Sequence, residues 1–438
     1  MGSDPLVESI ADAKVEEKDM RDKKLQQTRI QHALWGLFIG DALAMPVHWY
    51  YNPNNIKKDF NGGIAAYEAA RHPHPESFMV GTGYHPDVET ANRIKRPFDI
   101  LHEHVRFYRT SYRRLDIDRS EREPEHGNPT PSIDERYHYH HGLQAGENTL
   151  GAHLLRVLMR SVVSTGQYDQ MVFIDAFINY LTTPGCNRDP YTEIYIRRWF
   201  EQYARGMPPH ACVEIQRYSW SIGSHGGLIR PLVMSLLAGS PYQGIGLAIE
   251  HQNLTHHSEN NVAALSLLVP LLHDLISGKG GERATIAYAR QIRLPVVTGS
   301  DLFARYRQAN GPGNIPTEEM WQLHTRLEDV PMDIPQLLNT FNEETMTHNR
   351  LATACYPEHG LPMMLYLAVQ KRFDLESALL ANANAGGDNV HRGMVLGLLV
   401  GAASEEVPAM LKAGLVDRVE LATEIEAFSE LAVTSVAF

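Results

Sequence analysis

Residues 378–403 read ALLANANAGGDNVHRGMVLGLLVGAA. Two adjacent glycines, Gly386 and Gly387, supply the permissive backbone that lets a loop turn sharply into a helix N-terminus. Asp388 follows as a suitable N-cap, and His391, three residues on, reaches the same point. Beyond them Gly393, Gly397 and Gly401 fall on one face of an apolar helix, where small residues let a second helix approach closely. Asp388, Asn389, His391 and Arg392 crowd more polarity into the helix start than capping requires. A glycine-rich turn opening a helix is also an anion site, so Gly386, Gly387 and Arg392 are candidates for substrate contact.

A matching stretch lies near the N-terminus, WGLFIGDALAMPVHWYY over 35–51. Gly36, Gly40 and Ala44 are again four apart. A glycine inside a helix costs about 1 kcal/mol against alanine, so two on one face imply a packing reason. Asp41 is a charge within an apolar run, and an unpaired buried carboxylate is costly, so it is exposed, hydrogen-bonded or part of a site. Pro46 is expected to end the helix and leave His48 at its mouth. In mid-chain, QAGENT at 144–149 precedes an amphipathic helix. Asn148 or Thr149 suits its N-cap and Glu147 its dipole, which by themselves describe a capped helix without chemistry. SHGGLIRPLVMSLL at 224–237 offers the Gly226-Gly227 turn and Arg230 to a ligand's phosphate or hydroxyls, a solvated arginine being the plain alternative. Ser258 reads as the cap of the helix that follows.

Elsewhere the apolar residues recur with helical period, as at Leu150, Leu154, Val157 and Leu158, and alternating β patterns are scarce. The fold expected is all-α, an orthogonal multi-helix bundle with a long loop-rich insertion. Residues 1–28 read as a polar tail or short helix outside the core, and 29–438 as one domain with an insertion or lid at 50–142. That insertion is rich in Tyr and His, including the HYHH run at 138–141, and its 116–136 stretch reads as loop. A second irregular stretch spans 293–335, around Asn310-Gly311-Pro312-Gly313. The 438 residues carry a net charge of −12, which argues against a nucleic-acid backbone as partner. Cys186, Cys212 and Cys355 are odd in number and unpaired by any CxxC spacing. No signal peptide or membrane-length apolar run is evident, so the expectation is a cytoplasmic protein acting on a small molecule, with neither membrane nor nucleic acid as partner.

Taken in order, these four segments resemble the ADP-ribosylglycohydrolase family, which includes the dinitrogenase-reductase-activating glycohydrolase and the J1 crystallins. GDALAMPVHWY resembles the family's GDAxGxPxE opening, and GENT lies where it has TDDT. SHGGLIRP with LTHHSENN resembles its GNGxxMRxxP and THxxP segments, and GGDNVHRGMVLGLLVGAA its GGDxDTxxxxxGxxxGA closing motif. The resemblance covers 29–49 and 143–403, and implies an all-α bundle hydrolysing a glycosidic bond to ribose with two Mg²⁺ ions. His48 stands in place of the family's glutamate, Glu147-Asn148 in place of the paired aspartates, and Val390 and His391 in place of the second Asp and the Thr. Mg²⁺ prefers an octahedral set of oxygens, so these replacements argue against the two-magnesium site.

The resemblance brings His48, Glu147, Asn148, Asp388, His391 and Arg392 together. The expected catalytic set is Glu147, Asp388, His391 and His48, with Asp41, Asn148, Gly386, Gly387, Arg392, Gly226 and Gly227 on substrate. Glu147, Asp388 and His391 could bind a single softer divalent ion, or the site works without metal. In that version Glu147 or Asp388 is general base, a histidine protonates the leaving group and Arg392 steadies an oxyanion. The expected function is cleavage of an N-ribosyl bond in an ADP-ribosylated or nucleoside-like substrate. The competing readings are an inactive ligand-binding or crystallin-like protein of the same fold, and a hydrolase acting on amide-type bonds.

Overall fold

The computed structural model describes residues 5–108, 110–112, 132–213, 224–296, 326–351 and 353–434, with backbone alone for 5–17 and 19. The Asn310–Gly313 turn and residues 116–131 of the polar loop lie outside the described residues. What is described is all-α, with two small strand pairings. Gly83–Tyr84 lies parallel to Thr110–Ser111, and Arg293–Pro295 antiparallel to Leu327–Pro331.

The helix Asn389–Ala403 is buried from Asn389 through Ala402, as a helix apolar on every side must be. Its closest partner is the first helix, Pro5–Ala44, and the two meet backbone to backbone. A Cβ on Gly36 would lie 2.2 Å from the Gly397 carbonyl oxygen, one on Gly40 2.3 Å from that of Gly393, and one on Gly401 2.3 Å from that of His32. The helices run antiparallel, each four-residue step along one matching a four-residue step back along the other. The glycine spacing read from the sequence is this contact. The polar residues expected outside the core are, from Pro5 onward, the outer part of the same helix, exposed over 20–25 and buried from Ile30.

Around this pair pack Gly226–Ser235, Glu259–Ile276, Pro357–Gln370 and Leu375–Ala385. Arg418–Thr434 lies against the first helix and against Leu150–Thr165. Arg156 joins those last two, donating from Nε to Glu424 at 2.8 Å and from Nη2 to the same carboxylate at 3.1 Å, with Nη1 on Asp417. The 50–142 region is loop-rich as expected, with short helices at Pro53–Asp59 and Val88–Arg93.

Candidate functional site

The antiparallel register decides what meets at the end of the helix pair. The first helix stops at Ala44, and Met45–Val47 form a single 3₁₀ turn containing Pro46, so His48 leaves in extended conformation. Opposite it, Gly386 and Gly387 take φ of +69° and +67°, where only glycine is comfortable. Side chains there would also strike the carbonyl oxygens of Tyr50 at 2.1 Å and Thr353 at 2.0 Å. The two strands of loop are stitched by Trp49 N–H to the Gly387 carbonyl at 2.8 Å and Gly387 N–H to that of Tyr50 at 2.7 Å.

At this junction Asp388 is the hub. Its Oδ1 is 3.1 Å from His48 Nε2 and 2.8 Å from His391 Nδ1, and its Oδ2 is 3.4 Å from His225 Nδ1. Each imidazole is held from behind. His48 Nδ1 is 2.7 Å from His140 Nε2, and His140 Nδ1 sits 2.9 and 3.0 Å from the two oxygens of Asp189. His391 Nε2 faces Glu193 Oε1 at 3.3 Å, and His225 Nε2 donates to the Tyr356 carbonyl at 2.9 Å. All these groups but the half-buried Glu193 are buried, and the cluster approaches solvent at the His391 and Glu193 side chains, 6% and 14% exposed. Trp49, Tyr51, Tyr139 and Tyr191 stand half-buried around it, with Trp49 stacked on His48 at 4.7 Å and Tyr139 against Tyr191 at 5.1 Å.

Burial opposes charge on Asp388, His391 and His48, but not with one result. For Asp388 it is outweighed by His391, His225 and His48, and the carboxyl is held well below its usual range. For His391 it is outweighed by Asp388 and Glu193 on either side, and the imidazolium is held well above the usual histidine range. For His48 burial prevails over the Asp388 hydrogen bond and pushes the imidazole down to about 3.

The sequence reading placed His48, Asp388 and His391 here, and the structure brings these three together. It does not bring Glu147. That carboxylate accepts from the Gln144 N–H at 2.6 Å and pairs with Arg188 at 2.5 Å, because an exposed guanidinium beside it is a better partner than a crowded core. The start of Leu150–Thr165 is capped instead by Asp189, which accepts the Leu150 N–H at 2.8 Å. Asp41 and Asn148, expected on substrate, face each other. Asp41 accepts from Asn148 Nδ2 and Thr149 N–H, each at 2.8 Å, and from Thr149 Oγ1 at 2.6 Å. Burial raises its carboxyl in spite of those bonds.

The expected anion cradle is not formed either. The amides of Gly386, Gly387 and Asp388 already donate to Ala383, Tyr50 and Thr353. Arg392 is fully buried and bonds the Asn382 side chain at 2.7 Å and the Gly386 carbonyl at 2.8 Å, so it fixes the glycine loop and does not face a ligand. Gly227 gives room to Asn261 and His256, whereas Gly226 lies against Glu193 and His391. Arg230 sits in a neutral cage of Tyr195, Thr255 and His251. Four contributors, His225, His140, Asp189 and Glu193, were not singled out as site residues. His140 stood in the HYHH run and His225 beside the Gly226-Gly227 turn, while Asp189 and Glu193 left only an acid ahead of an amphipathic helix as a signal.

Among the described residues, His48, Asp388 and His391 offer ligand atoms all within 4.8 Å of one another. Fold and centre together define an all-helical protein with a buried histidine–carboxylate group able to hold a metal ion. Comparison places it more narrowly. The ADP-ribosylglycohydrolase family model matches residues 22–436, and the chain belongs to that family. A solved structure described as an ADP-ribosylglycohydrolase-related protein complex aligns over 93% of this chain and 99% of its own, with TM-score 0.50 and 17% identity. At that identity the likeness shows the fold. No curated protein matches. No described helix is long and apolar enough to cross a membrane.

The family's two magnesium ions do not suit this donor set. Mg²⁺ wants oxygens in an octahedron. Here the Asp388 oxygens face imidazole nitrogens, Glu147 is paired with Arg188, and Asp41 is enclosed by hydrogen bonds.

Proposed function

We propose that this chain hydrolyses a glycosidic bond, an N-ribosyl linkage in a nucleoside-like or ADP-ribosylated small molecule. Family membership supports the reaction class, and the observation that carries the assignment to this centre is the pairing of Glu193 with His391 at the least buried edge of the Asp388 cluster. Aromatic rings there, Trp49, Tyr51, Tyr139 and Tyr191, suit a flat base or nicotinamide-like group, since stacking contributes about 1–3 kcal/mol per ring. Glu193 takes the role the sequence suggested for Glu147. Cleavage breaks the C1′–N bond, its electron pair leaving with nitrogen, while water forms the new C1′–O bond. Glu193 accepts the water proton and passes it to the departing nitrogen, and its negative charge faces the oxocarbenium-like transition state. His391 orients that carboxylate from behind.

Incubation with nucleosides, dinucleotides and ADP-ribosylated peptides tests this. Turnover of at least one class is expected, lowered about 100-fold or more in Glu193→Gln. Turnover of none above that variant overturns the reading and leaves a ligand-binding protein of the same fold. The partner proposed is accordingly a small molecule, neither nucleic acid nor membrane.

A further inference from the structure

We infer, resting on the glycosidic reading above, that the leaving group is a planar heteroaromatic cation, bonded to C1′ through a quaternary, pyridinium-type nitrogen. A cage of aromatic rings receives it, and Trp49 is the residue that sets this specificity.

Trp49 has φ of +66°, a left-handed backbone that a bulky residue rarely adopts. Its indole N–H is buried and finds no acceptor, a second unfavourable feature on the same residue. Such features persist only where the surroundings over-determine them, and they gather at sites that bind or react. What they secure is a position. The indole is stacked on the His48 ring at 4.7 Å, with Tyr51 and Tyr139 at 6.0 and 6.1 Å. Tyr139 in turn meets Tyr191 edge to face at 5.1 Å. Among the described residues no lysine or arginine lies over Trp49, Tyr139 or Tyr191, whereas Arg96, Arg106 and Arg230 cover the rings of Tyr203, Phe107 and Tyr195.

An aromatic face is the negative part of the ring, and it attracts a cation within about 6 Å of its centre. A cation lodged among centroids 5.1–6.1 Å apart meets several such faces at once. The carboxylates of Asp388, near Tyr51, and Glu193, near Tyr191, act in the same sense. Two cations oppose them, Arg392 near Tyr51 and Arg197 near Tyr191. Both are buried and directed at backbone, donating to the Gly386 and Thr192 carbonyls.

The bond to be broken points the same way. A neutral base departs only with a proton on its nitrogen, supplied most often by an imidazole. The four imidazoles of the cluster are turned to protein on both nitrogens: His391 to Asp388 and Glu193, His48 to Asp388 and His140, His140 to His48 and Asp189, His225 to Asp388 and the Tyr356 carbonyl. A quaternary nitrogen needs no proton. The C1′–N bond breaks, its electron pair neutralises the departing ring, and water forms the C1′–O bond while its proton passes through Glu193 to solvent. Positive charge moves from the cage onto the ribose, where Glu193 faces it, and the product ring leaves uncharged.

The test uses the full chain and two ribosides that differ by one hydride and the ring charge, nicotinamide riboside and its neutral 1,4-dihydro counterpart. The ratio of kcat/KM for release of the base is expected to favour the cation about 10-fold or more. Binding is read separately, by tryptophan fluorescence and calorimetry, with 1-methylnicotinamide, a cation without a ribosyl bond, against neutral nicotinamide. The cation should again bind about 10-fold tighter or more. Trp49→Leu should abolish both preferences and Tyr242→Leu, at an 86% exposed position, neither. Tyr191→Leu takes its place if circular dichroism shows that Trp49→Leu does not fold. Equal handling of cation and neutral partner, or a preference that survives in a folded Trp49 variant, overturns the inference and leaves the glycosidic reading standing. Binding of the cation that depends on Trp49, with no riboside cleaved, sinks the glycosidic reading instead and leaves the cage as a cation site.

Discussion

Gly40→Ala adds one methyl group where the two central helices touch. Its Cβ would stand 2.3 Å from the Gly393 carbonyl oxygen and 2.8 Å from the carbonyl carbon. Ordinary contact begins about 1 Å further out, and the obstacle is backbone, so no rotamer change relieves it. The helices must part by about that distance, and a gap of 0.5–1 Å forfeits a quarter to a half of each contact's attraction. Overpacking of this kind costs about 1–3 kcal/mol. The helical preference of alanine returns at most about 1 kcal/mol, so a net loss near 2 kcal/mol is expected. Gly246 is the internal control. It lies in Pro241–Gln252 with nothing within 4 Å of its would-be Cβ, so Gly246→Ala should stabilise by about 0.5–1 kcal/mol. Urea unfolding followed by far-ultraviolet circular dichroism compares the three proteins. If Gly40→Ala matched or exceeded wild-type stability, the backbone-contact argument and the register built on it would fail.

Arg156→Ala leaves Glu424 with only the more exposed Arg160 guanidinium, 3.4 Å away, and should cost about 1–3 kcal/mol by the same unfolding measurement. At pH 8 a thiol reagent should modify exposed Cys186 rapidly and spare Cys212, which is buried with its thiol pushed up to about 12, until denaturant is added. Burial, reinforced by nearby Arg230 and His256, holds the His251 imidazole well below the usual range. Below pH about 6.5 the unfolded chain therefore binds a proton that the folded chain refuses, and stability falls as the pH falls, by up to about 1.4 kcal/mol per unit for this one group. Urea midpoints between pH 6.5 and 5 should fall less steeply in His251→Gln; an unaltered slope would show that this ring does not contribute.

The sequence made the helix pair legible because close approach of two backbones permits almost no residue but glycine, and that requirement repeats every four positions. His48, Asp388 and His391 were legible for a related reason, since each sits directly at an end of that pair. His225, His140, Asp189 and Glu193 were not, because each enters through a single side chain whose importance depends on a hydrogen bond to a residue distant in sequence. The misplacement of Glu147 is instructive. An acid just ahead of a helix suits that helix from many positions, and which acid caps it was decided by the arrival of Asp189 and by Arg188 drawing Glu147 aside.

Asp189 accepts the first amide of Leu150–Thr165 and also fixes the ring of His140. One carboxylate therefore serves two masters, a scaffold joint and a tuning element, and neither can drift independently in descendants of this chain. A lineage that replaced it would have to re-terminate a core helix and re-aim an imidazole in the same step, so this position should be among the slowest to diverge.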